Sequence, residues 1–167
     1  MLVTRTEIES TVKKLASAVA RDYRDKNPLL IGILKGSFIF LADLVRQLDF
    51  PLEVEFVRLS SYGSGTQTFG KVKLEHEPKV AIKGRHVLVV EDIIDTGITV
   101  DFLMKYLQKK KPASLKLCAL TDKPSRRRVH IGIDYKGIDV PNKFIVGYGI
   151  DCDEKHRNLR DICIIEE

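Results

Sequence analysis

Val87-Leu88-Val89-Val90-Glu91-Asp92-Ile93-Ile94-Asp95-Thr96-Gly97-Ile98-Thr99 decides how this chain is read. It opens on apolar, largely β-branched residues, the composition of a strand buried on both faces. Three acids follow within five positions, then a turn of Thr, Gly and Thr, then residues 100–107 with apolar side chains at helical spacing. The first turn of a helix leaves backbone N–H groups unpaired and carries partial positive charge. A phosphate is the natural guest there. Gly97 lets the backbone approach it closely, and Thr96 and Thr99 add hydroxyls. No GxxxxGK[ST] occurs and no GxGxxG follows a strand, so neither a Walker loop nor a dinucleotide fingerprint is present. A plain helix N-cap is the competing reading of Thr99.

Asp95 stands one residue before this cradle. Aimed into it, the carboxylate would repel a phosphate, so its better use is to exchange a proton with another part of the ligand. Glu91 and Asp92 are adjacent and on a regular strand would face opposite ways. They serve one ligand only if the strand ends near Val90. Their carboxylates suit the hydroxyls of a cis-diol or the vicinity of a bound Mg²⁺; a solvated acidic strand end is the alternative.

The rest of the chain supports a layered fold. Thr4-x-x-Glu7 forms a capping box before a helix that ends near Tyr23. Leu29–Leu34 is a buried strand, residues 38–48 a helix, and residues 52–60 a strand. Residues 61–70 are polar and Gly-rich and are predicted to be mobile, with a short hairpin arm over 71–74. Further strands are predicted over 115–121, 131–135, 144–148 and 162–165. Alternation of helix and strand from residue 4 to about 121 implies an α/β fold, with a mostly parallel central sheet flanked by helices. Ligands of such sheets sit beyond the carboxyl ends of the strands. That makes candidates of Lys35-Gly36-Ser37, residues 91–99, and Thr121-Asp122-Lys123. No linker or internal repeat divides residues 1–167, so one domain is expected.

Bulk composition narrows the function classes. The 167 residues are 44% hydrophobic and 31% charged, with a net charge of +5. That modest excess suits an anionic small molecule as well as a nucleic acid. Three widely spaced cysteines and no CxxC indicate neither a disulfide framework nor a zinc site; Cys118 reads as a small core residue. His76, His86, His130 and His156 share no metal-ligand spacing. The first residues lack a basic then apolar signal pattern, and no apolar run reaches the ~18 residues that span a bilayer. A cytoplasmic location is expected.

A ligand with a diol, a terminal phosphate and a metal-binding group is a phosphorylated ribose. Glu-Asp-Ile-Ile-Asp-Thr-Gly resembles the phosphoribosyl diphosphate (PRPP) signature of type I phosphoribosyltransferases, in the form carried by the hypoxanthine-guanine branch. The resemblance extends over most of the chain. Leu34-Lys35-Gly36 looks like the family's first loop, where an often cis peptide exposes amides to pyrophosphate. Ser61-Tyr62 resembles the start of the loop that closes over the site. Lys123 matches the lysine that reaches the purine 6-oxo group, and residues 140–148 match the purine-binding stretch. Asp151 and Arg157 match the pyrophosphate and metal end.

The resemblance implies PRPP binding by Glu91, Asp92, Asp95, Thr96, Gly97, Ile98 and Thr99, with Asp95 as the catalytic proton carrier. It implies pyrophosphate binding by Lys35, Gly36 and Arg157, and purine binding by Lys123, Phe144, Ile145 and Asp151. Mg²⁺ would lie near Glu91, Asp92 and Asp151. A small purine-binding hood from the two chain ends and a homodimer or homotetramer are also implied, with no nucleic acid and no membrane as partner. Without the resemblance, Phe144 reads as a core aromatic and Lys123 as a solvated loop lysine. Cys152 stands where the family commonly has an aromatic, and Ser37 replaces a small residue.

The implied reaction moves ribose 5-phosphate from PRPP to hypoxanthine or guanine. Two other functions stay open. One is a PRPP-sensing nucleic-acid regulator on the same fold, drawing on Lys109-Lys110-Lys111 and Arg126-Arg127-Arg128, although such runs are more often solvated surface or subunit contacts. The other is a transferase preferring xanthine, which differs from guanine only at the purine 2-position.

Overall fold

The computed structural model describes residues 1–62 and 71–165. Helix α1 (Arg5–Tyr23) opens on the expected capping box, Thr4 accepting from the Glu7 amide while Glu7 accepts from the Thr4 amide. Strand β1 (Leu29–Leu34) is followed by α2 (Phe38–Val45), β2 (Glu53–Tyr62) and β3 (Lys71–His76). Then come β4 (His86–Ile94), α3 (Ile98–Lys109), β5 (Ser114–Asp122), a 3₁₀ turn (Pro124–Arg126) and β6 (Tyr135–Asp139). The short pair β7 (Ile145–Val146) and β8 (Cys163–Ile164) closes the chain.

Six strands form one sheet in the order β3-β2-β1-β4-β5-β6. All neighbours are parallel except the β2–β3 edge pair. Side-chain alternation builds two cores. Leu30, Leu88, Val90, Cys118 and Leu120 face α1 and α2, while Leu29, Ile31, Val87, Val89, Leu117 and Ala119 face α3. Strands buried on both faces need apolar residues at every position, which is why they read as continuous runs. The chain winds outward from β1 in one direction and from β4 in the other. The crevice between the carboxyl ends of these two strands is therefore the switch point at which such sheets bind ligands.

A second small unit sits over that crevice. Val3 bridges Ile162, the Leu2 and Val3 amides donate to the Ile162 carbonyl, and β7 pairs antiparallel with β8. This is the expected hood. Asp161 accepts from the Arg5 amide at 2.6 Å, and the Tyr148 hydroxyl donates to Asp43 of α2 at 2.6 Å. Both contacts tie the hood to the helices.

Several boundaries differ from the sequence expectation. Helix α2 stops at Val45 rather than residue 48, because Gln47 and Leu48 donate to carbonyls three residues back; Leu48 stays buried regardless. The strand expected over 131–135 is instead β6, beginning at Tyr135. Ile131 and Ile133 pack on the α3-side core as irregular chain, and Asp134 exchanges two bonds with the Leu117 backbone before strand pairing starts. The strand expected over 144–148 is reduced to Ile145–Val146. Strand β4 does not stop at Val90 but runs through both acids to Ile94. Ser61 and Tyr62 end β2, and the remainder of the expected closing loop lies outside the described residues.

Candidate active site

The two acids sit inside β4, and burial governs their chemistry. Ile93 packs with the α1/α2-side core and Ile94 with the α3-side core, which reverses the alternation set by Val87 to Val90. The phase thus slips across Glu91 and Asp92. Glu91 is buried, its Oε2 has no partner among the described residues, and burial with the neighbouring Asp92 charge pushes its pKa well above the usual carboxylate range. Asp92 is 6% exposed, and burial raises it to about 6, opposed by its own and the Ile93 amides and by Arg157. A solvated strand end is excluded. Thr121 on β5 donates to the Asp92 carbonyl at 2.8 Å and fixes this part of the strand.

The first loop faces Asp92. The Leu34–Lys35 peptide is cis, as the resemblance implied. A side chain at Gly36 would come within 2.7 Å of Asp92 Cγ and 2.8 Å of Oδ1, so only glycine fits beside this carboxylate. Ser37 is buried and donates to the Ile33 carbonyl at 2.7 Å, anchoring the loop. The hood brings Arg157 to the same place. Its Nη1 donates to the Gly149 carbonyl at 2.8 Å, and its Nη2 pairs with Asp151 at 2.9 Å and Glu154 at 3.4 Å. Glu154 also binds Lys35 at 2.9 Å, and that contact lowers its pKa. Gly149 packs directly on the Gly36 carbonyl. Cys152 is half-buried in a bridge with Lys155.

The turn after β4 takes the predicted form. Gly97 is the N-cap of α3 with φ 84°, a left-handed conformation that favours glycine. Thr99 lies inside the helix, so its reading as a cap fails. Of the amides of residues 97–100, that of Ile98 alone meets an acceptor among the described residues, Thr96 Oγ1 at 3.4 Å.

Lys123 is 7% exposed, and its Nζ lies 3.7 Å from Asp95. A buried lysine held by a carboxylate is no solvated loop residue. Asp95 also accepts from Arg126 Nε at 2.9 Å. The sequence reading assigned Arg126 to a basic surface run; nothing local could place it on Asp95, because the contact depends on two loops folding together. Phe144 is 50% exposed, which removes it from the core. Ile145 is buried, and the Ile165-to-Phe144 bond makes Ile145 and Ile164 a non-hydrogen-bonded pair. The Ile145 backbone groups therefore point away from β8.

Among the described residues no three His, Cys, Asp or Glu side chains converge to hold a metal by themselves. The donor set fits a hard cation that arrives with phosphate oxygens and takes one or two carboxylates from the protein. The buried Glu91 Oε2, without a partner among the described residues, suits a hydroxyl or, once ionised, a cation.

A switch-point crevice lined by the helix-start amides of α3, buried carboxylates and a fixed guanidinium points to a class: α/β proteins whose site suits a phosphorylated sugar. The phosphoribosyl transferase domain family matches residues 2–153. The hypoxanthine-guanine phosphoribosyltransferase of Streptococcus pneumoniae is 45% identical over 167 residues, covering 100% of this chain and 93% of its own. The hypoxanthine phosphoribosyltransferase of Haemophilus influenzae is 43% identical over 162 residues, covering 95% and 90%. The solved hypoxanthine-guanine phosphoribosyltransferase of Bacillus anthracis superposes with a TM-score of 0.94 at 45% identity, covering 99% of this chain and 98% of that one. The chain belongs to the phosphoribosyltransferase family, in its hypoxanthine-guanine branch.

Proposed function

We propose that this protein works in purine salvage, transferring ribose 5-phosphate from PRPP to hypoxanthine or guanine to give IMP or GMP and pyrophosphate. The observation that carries the reading is the convergence on one crevice of Lys123 with Asp95, the Gly97, Thr99 and Val100 amides, which meet no acceptor among the described residues, and Asp92 beside Gly36 and Arg157. Thr96, Gly97, Ile98 and Thr99 hold the 5-phosphate, and Glu91 and Asp92 take the ribose hydroxyls. The Lys35 and Gly36 backbone and the Arg157 fork bind pyrophosphate. Phe144 stacks on the base, Ile145 meets its edge through backbone groups, and Lys123 donates to the 6-oxo oxygen. Adenine has a donor at that position and is rejected.

The C1–O bond of PRPP breaks to leave an oxocarbenium-like ribosyl cation, which the purine ring nitrogen attacks. The chain supplies no nucleophile. It positions the partners, stabilises the leaving pyrophosphate, and takes the purine proton near N7 on Asp95. Asp151 and the β4 acids Glu91 and Asp92 would hold Mg²⁺, which would supply further charge neutralisation when bound. We assign a homodimer or homotetramer and a cytoplasmic location on the family resemblance; no helix among the described residues is long and apolar enough to cross a membrane.

A steady-state assay with PRPP, Mg²⁺ and, in parallel, hypoxanthine, guanine, xanthine and adenine tests the reading. Turnover of the first two with adenine poorly used is expected. No turnover of any 6-oxopurine would refute it.

A further inference from the structure

We propose that Arg127 is a phosphate-binding residue, its Nη1 adding the positive charge that the cradle at the start of α3 otherwise lacks. The inference rests on the phosphoribosyl-transfer reading above and deepens it.

Thr96, Gly97, Ile98 and Thr99 offer amides and hydroxyls, all of them neutral donors. A phosphate monoester carries about −1.5 to −2 charge at pH 7, so a cation beside it strengthens each contact. Arg127 is placed to be that cation. Its segment is stitched to the cradle through backbone: the Arg128 and Val129 amides both donate to the Thr96 carbonyl, at 2.9 and 3.4 Å. The Lys123 amide donates to the Ile94 carbonyl at 2.9 Å. The guanidinium lies against the cap of α3, since a side chain at Gly97 would come within 3.1 Å of Arg127 Cδ and 3.2 Å of Nη1.

The five donors of this arginine are unevenly used. Nη2 is held by the buried carboxylate of Asp122. Nη1 is buried and meets no acceptor among the described residues. A buried charged donor without a partner is unfavourable, and such a group in a native structure calls for an explanation. An incoming phosphate oxygen at Gly97 supplies the missing acceptor. Asp122 engages Arg127 through Nη2, which leaves Nη1 on the side of the α3 cap. The neighbouring Arg126 serves Asp95, so two members of the basic run have separate assignments within one crevice.

Binding of IMP and of inosine, the same nucleoside without the phosphate, is measured by calorimetry on wild type, Arg127→Gln and Arg127→Lys. Arg127→Gln is expected to weaken IMP about 10- to 100-fold, the range for a hydrogen bond to a charged group, and to leave inosine unchanged. Arg127→Lys keeps a cation for Asp122 but offers no second nitrogen, so it too loses most of the IMP preference. It decides the matter if the glutamine variant fails to melt cooperatively. Variants that keep the wild-type ratio of IMP to inosine affinity overturn the assignment of Arg127 while leaving the transferase reading intact. A wild-type protein that shows no preference for IMP over inosine brings down both.

Discussion

Replacing Asp92 by Asn should stabilise the ligand-free protein while disabling it. Asp92 is 6% exposed, and its folded pKa lies at about 6 against an ordinary 3.8. The folded carboxyl therefore binds its proton more tightly than the unfolded one. Between about pH 4 and pH 6 the folded state holds more protons, and stability from this group falls as pH rises. Above about pH 6 the whole penalty is present; below about pH 4 it is absent. At about 1.4 kcal/mol per pH unit, the penalty is about 3 kcal/mol. Asn has the same shape, keeps an oxygen for the two amides, and carries no charge. At about 2–4 °C per kcal/mol for a chain of this size, its melting temperature should exceed wild type by roughly 6–12 °C at pH 8. The gain should vanish near pH 4. Relief of the Asp92 charge beside Glu91 acts in the same direction. Calorimetric melts of both proteins from pH 4 to 8 make the test. Parallel curves across that range would refute the claim that Asp92 is held ionised against its surroundings.

Asp95→Asn should lower kcat by roughly 10²–10⁴-fold with little change in KM for PRPP, since it removes a proton carrier; an unchanged kcat removes that role. Lys123→Gln should narrow the preference for hypoxanthine over adenine by about tenfold or more in kcat/KM, and full selectivity in that variant would mean that another group reads the base. Gly36→Ala drives a methyl into the Asp92 carboxylate. It should destabilise by about 1–3 kcal/mol and raise KM for PRPP; a melting curve and activity equal to wild type would show that the loop yields freely. Thr99→Ala should raise KM for PRPP more than KM for the purine, and equal effects would return Thr99 to a purely structural place in the helix.

The layered fold and the central strand-turn-helix, with its glycine at the start of α3, were legible in the chain itself. Each rests on short-range physics: two-sided burial makes β1 and β4 continuous apolar runs, the capping box sets the start of α1, and the left-handed cap of α3 favours the glycine found at position 97. Strand ends were less legible. Ile131 and Ile133 are as apolar as a strand requires, but their burial comes from packing on the α3-side core without a paired neighbour.

What tertiary structure alone decided is which distant residues meet. That Asp92 lies against Gly36, that Arg126 and Lys123 reach Asp95, that Phe144 is exposed while Lys123 is buried, and that Arg157 reaches the first loop through Gly149 all follow from the order of strands in the sheet and the hood closing above it. The physical reason is range. Backbone dihedrals and side-chain periodicity are set by neighbours a few residues away. The burial that raises the Asp92 pKa and the ion pair between Lys35 and Glu154, 119 positions apart, exist only once the whole sheet has formed.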